Sequence, residues 1–161
     1  VPDTRRVRGK DMSRKNRKPR FTLSQEEAER LIAAVKNAVE DVFRMPAAGE
    51  HNAEFHVRAD DGEKFTIAVF QGTKNAARHQ ISARITKLGI PLIRLCVNSG
   101  THNNPDGTRI SGTHWHVYKE GDDDLVAYPA DLESDGFVDA TIALLDKFNV
   151  IKRPVFQESL I

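Results

Sequence analysis

Cysteine is almost missing from this chain, Cys96 being the only one. An internal disulfide is therefore excluded, and so is any zinc module built on paired cysteines at C-x-x-C spacing. In that setting Cys96 reads as a quiet residue of a strand. Long apolar runs are missing as well. No stretch approaches the roughly 20 residues that span a bilayer, and the first residues lack the apolar centre of a secretion signal. A cytoplasmic setting with no membrane partner is the expectation. Net charge is nearly absent too, at +1 over 161 residues, and the 39% apolar and 29% charged composition is that of a globular domain.

That near-neutrality conceals a division. Residues 1–20 carry nine basic side chains against two acids, a net +7, whereas the remaining 141 residues carry 15 basic against 21 acidic groups, a net −6. A basic arm with little to bury is flexible in isolation and suited to phosphate backbones. The expected organisation is a flexible arm over 1–20 and one α+β domain over 21–161. Met12-Ser13-Arg14-Lys15 reads as a natural start, so the firm part of the arm is Arg14, Lys15, Arg17, Lys18 and Arg20.

Ser24 followed by Glu27 forms a capping box, and Ala28, Leu31, Ile32, Val35, Ala38, Val39 and Val42 recur at helical spacing, which predicts a helix over 25–43. Alternating runs predict strands over 53–59, 64–71, 80–88, 91–98 and 113–119, the first two joined by an Asp-Gly hairpin signal. A second amphipathic helix is predicted over 137–148. This order argues for a five-stranded antiparallel meander with the N-terminal and C-terminal helices packed on one face, so Ile93, Leu95, Val97, Trp115 and Val117 should meet the helix bearing Leu31, Val35 and Val39.

Strand side chains alternate, so each run divides into two sets. The set opposite the apolar one holds Glu54, His56, Arg58, Ser82, Arg84, Arg94, Cys96, Asn98, His114 and His116, among others: three of the six histidines, three arginines and one acid. A face so short of acids is a candidate anion site. The fourth and fifth strands are joined by a long loop over 99–112, with a turn signal at Asn104-Pro105-Asp106-Gly107 and a further histidine, His102.

Two chemistries suit that cluster. In phosphodiester or ribose 2′-OH chemistry, His114 and His116 serve as acid and base, Arg94 and Arg84 hold the phosphate, Asn98 orients and His102 contributes from the loop. In a metal site, His114 and His116 pair as strand ligands with His102 or Asp106. The basic face favours the anion, so no metal and no cofactor is the expectation. A His-Asn-His nuclease is disfavoured, because a strand rather than a helix follows His102-Asn103-Asn104.

The run LIRLCVNSGTHNNPDGTRISGTHWHVYKEG (92–121) resembles a family of uncharacterised bacterial and phage proteins, which share its Asn-Pro-Asp-Gly loop and the following His-x-His-x-Tyr strand. The likeness extends through Tyr128-Pro129 to Gln157-Glu158-Ser159-Leu160 and implies a mobile-element origin. More distantly, the order of Arg94, Asn98, His102, His114 and His116 is similar to TumE-type toxins of toxin-antitoxin modules, although Cys96-Val97-Asn98 stands where those carry an acidic residue. That resemblance implies a ribonuclease-like activity and a neutralising protein partner. The function expected is thus directed at nucleic acid, RNA before DNA, with Arg58 and Arg84 joining Arg14, Lys15, Arg17, Lys18 and Arg20 as phosphate contacts. The alternative is a non-catalytic nucleic-acid- or protein-binding module.

Overall fold

The computed structural model describes residues 22–122 and 126–158. The basic arm, with Arg14, Lys15, Arg17, Lys18 and Arg20, lies outside the described residues.

Ser24 opens helix α1 (Gln25–Ala33), its hydroxyl accepting the Glu27 N–H at 3.1 Å. The helix stops ten residues before the expected 43. Lys36 ends it: its Nζ donates to the carbonyls of Ile32, Ala34 and Phe148 at 2.9, 2.7 and 2.7 Å. These bonds satisfy backbone acceptors near the helix end and turn the chain into β1 (Lys36–Ala38), followed by β2 (Val42–Arg44). Val35, Val39 and Val42, counted as part of the helical stripe, are exposed and outside the helix. β-branched residues at intervals of three and four fit a helix on paper, but their stiff side chains suit extended backbone as well.

The five alternating runs all become strands: β3 (Glu54–Ala59), β4 (Lys64–Gln71), β5 (His79–Ile85), β6 (Pro91–Val97) and, beyond two short strands β7 (His102–Asn103) and β8 (Arg109–Ile110), β9 (His114–Val117). Three further strands and a helix follow: β10 (Ala127–Pro129), α2 (Phe137–Lys147), β11 (Val150–Lys152) and β12 (Val155–Gln157). The main sheet therefore has eight strands rather than five, in the order β10-β9-β6-β5-β4-β3-β1-β11. Its ladders are antiparallel except β1 with β11, which is parallel; β2 pairs with β12 and β7 with β8 in separate small sheets. Short strands of two to four residues carry too little alternation to be read from sequence.

One apolar set of the central strands, Phe55, Val57, Phe65, Ile67, Val69, Ile81, Ala83, Ile85, Ile93, Leu95 and Val97, is buried in the same cluster as Ala28 and Leu31 of α1 and Ala140, Leu144 and Leu145 of α2. Trp115 and Val117 pack against that cluster, and Lys147 at the end of α2 sits 5.1 Å over the Trp115 ring. Burial separates the two readings of the 25–43 segment. Leu31→Ala should cost about 2–5 kcal/mol of unfolding free energy, and Val35→Ala should stay within about 0.5 kcal/mol. Urea denaturation of both variants checks this, and equal losses would restore the longer helix.

Candidate functional site

The antiparallel register of β6 and β9 sets Arg94 opposite His116 and Cys96 opposite His114, while Leu95 meets Trp115 on the other face. Cross-strand partners lie roughly 4.5–5.5 Å apart, so the four polar side chains share one patch. The long loop then folds over it. Its turn closes through Gly107 N–H to the Asn104 carbonyl at 3.0 Å, with Gly107 at φ +93°, and Asn104 ties the turn to β10 by bonds to the Ala127 backbone of 2.7 and 2.9 Å. The β7–β8 hairpin brings the His102 ring to 4.9 Å from His116 and 5.7 Å from His114, and those two rings lie 4.9 Å apart.

Two imidazoles on the sheet thus converge with a third carried by the flap. His114 is 4% exposed, His116 2% and Cys96 8%. The burial differs from the solvated face that alternation predicts, and the flap is its cause. Nδ1 of His114 lies 2.9 Å from the Gly112 carbonyl and 3.2 Å from the Ser99 hydroxyl. Burial, more than the nearby Arg94 charge, pushes His116 down to about 3, and burial likewise lowers His114. Both are neutral at pH 7.

The other predicted residues scatter. Arg84 is paired with Glu54 at 2.8 Å. Arg58 is exposed on β3, three strands away from β6. Asn98, at φ +54°, closes the end of β6 rather than the cluster: its N–H donates to the Thr113 hydroxyl, and its side-chain amide donates to Ala77 and Asp135.

A family model covers residues 23–150, from just before α1 to the opening residue of β11. The chain belongs to the DUF6978 family, a family of unknown function. No curated protein and no solved structure matches it. The stretch shared with DUF6978 contains the whole histidine cluster and its flap.

Two features of this DUF6978 chain escape sequence reasoning. Cys96 stands in the cluster; the alternation already put it on the face of His114 and His116, but only the β6–β9 register shows the contact. A cavity of about 340 Å³ lies at the ends of β5 and β6, lined by Lys74, Arg78, Gln80, Cys96 and Ser99 among others. Lys74 and Arg78 are exposed and form no ion pair among the described residues. Their loop over 72–78 carried no pattern that marked it.

Proposed function

We propose that this protein is directed at nucleic acid, RNA in preference to DNA, and holds the phosphate backbone at the cationic mouth of the cavity beside the histidine cluster. The observation that supports this is the placing of Lys74 and Arg78 on a cavity that reaches Cys96, on the same strand as Arg94. Two unpaired cations at a concave surface attract an anion and repel none. The +7 segment at residues 1–20 adds sequence-independent affinity. The resemblance of the 92–121 run supports the finer parts of this reading: a prophage or toxin-antitoxin element, a cytoplasmic setting and a neutralising protein partner.

A ribonuclease-like activity is the second reading, favoured by the convergence of His102, His114 and His116. Burial takes the acid's role away from His116, so in this reading His102 on the flap donates the proton and Arg94 stabilises the phosphate.

Anisotropy titrations of single-stranded RNA and DNA against salt test the proposal. Each phosphate contact contributes a log-log slope of about −0.7 on single strands, so Lys74→Ala with Arg78→Ala should remove about 1.4 from it. Deleting residues 1–20 should flatten it further, and an unchanged slope in both variants would put binding elsewhere. Incubation with total RNA, with and without chelator, then decides between the readings. Cleavage abolished by His102→Ala with affinity retained selects the enzyme, and intact RNA selects the binding module.

A further inference from the structure

Cys96 lines the cavity of the first reading but has no chemical role in either, yet it sits within the histidine cluster. We propose that Cys96, His114 and His116 ligate a divalent ion of the zinc class, with His102 of the flap as the fourth ligand. Their donor atoms all lie within 4.8 Å of one another, and all three residues are buried. Around a tetrahedral zinc ion, bonds of about 2.0–2.3 Å put ligand atoms roughly 3.3–3.7 Å apart. The three side chains therefore need to close by only about 1 Å, a small rotation about χ angles. The His102 ring centroid lies 4.9 Å from that of His116; its donor atom stands outside the set of three, and a shift of the flap brings it in as the fourth ligand.

The donor chemistry selects the metal. One thiolate with imidazoles suits zinc and the later transition ions, whereas magnesium and calcium take oxygen ligands. The surrounding shell is that of a ligand site as well. A histidine on zinc ordinarily donates its other ring N–H to a carbonyl or carboxylate, which orients the ring and fixes its tautomer. Here the Gly112 carbonyl stands 2.9 Å from Nδ1 of His114 and is steadied by the Ser99 hydroxyl at 3.0 Å.

The expectation of no metal rests on repulsion by Arg84 and Arg94. In the folded chain Arg84 is held by Glu54, and a metal-bound thiol is deprotonated, so the Cys96 thiolate offsets Arg94. With His102 bound the ion is four-coordinate and closed, and its work is to fasten the 98–113 loop to the sheet. This inference goes beyond the nucleic-acid-binding reading and does not depend on it, and it excludes the ribonuclease-like one, in which His102 must be free to donate a proton.

Cobalt(II) alone is the probe, added to the full chain after stripping with chelator. One equivalent should bind and produce the strong visible bands of tetrahedral cobalt together with near-ultraviolet thiolate-to-cobalt charge transfer, and one equivalent of zinc should abolish both. Cys96→Ser, nearly isosteric and expected to fold, should lose the charge-transfer band and bind at least 10-fold more weakly. His102→Ala should keep that band and weaken the visible ones. Absence of a one-equivalent cobalt spectrum in the wild-type chain overturns the proposal, and so does a charge-transfer band that survives in Cys96→Ser.

Discussion

Lys36→Met should lower the unfolding free energy by about 3–5 kcal/mol, a large part of what a domain of this size possesses. Lys36 is fully buried, with its Nζ shared among three main-chain carbonyls and 3.8 Å from the centre of the Phe148 ring. Burial pushes its ammonium down to about 7, while the carbonyls and the ring face hold the proton. Methionine keeps the apolar stem and removes every donor. Each carbonyl left without a partner away from water costs about 1–3 kcal/mol, and because the three are adjacent their costs overlap. Urea denaturation with an unchanged m-value reads the loss. A loss below about 1 kcal/mol would mean that water replaces the ammonium.

The second large effect is set by pH and concerns the metal-free chain. His116, held at about 3, and His114, also lowered, are neutral in the folded state, whereas both return to about 6.5 on unfolding. Between those values the unfolded chain binds more protons, so stability is complete above about pH 6.5 and declines as pH falls toward 3. At about 1.4 kcal/mol per unit, His116 alone accounts for roughly 4–5 kcal/mol across that window. Urea midpoints from pH 8 to pH 4 in chelator should fall steeply for the wild type and less steeply for His116→Gln. Surface carboxylates titrate alike in both proteins, so the difference isolates the imidazole. Parallel profiles would show that His116 takes up a proton without unfolding.

The central strands were legible because each alternates over six residues or more, and the Asp-Gly turn before β4 is present as read, with Gly62 at φ +91°. The two sets of side chains were legible for the same reason, as the pairing of Leu95 with Trp115 and of Cys96 with His114 attests. Two things were not. The 34–44 segment satisfies the helix template through Val35, Ala38, Val39 and Val42, and the tertiary role of Lys36 together with pairing to β3, β11 and β12 makes it strands instead. The burial of His114 and His116 depends on a polar loop that nothing in its own composition marks as a cover. Asn104 tells of a turn, but its bonds to Ala127 are made across 23 residues.

The parallel pairing of β1 with β11 and of β2 with β12 bears on how the chain is made. Residues 36–44 leave the ribosome more than a hundred residues before their partners at 150–157, so α1 can coil early while its neighbouring strands wait. The Phe148 carbonyl that receives Lys36 emerges equally late. Until then β1, already alongside β3, presents an unpaired edge, open to pairing with any other extended chain. Translation arrested before residue 150 leaves a sheet with one border missing and an ammonium without its third acceptor. The arrival of residues 150–157 thus decides whether the edge at residues 36–44 is covered or left open to aggregation and proteolysis.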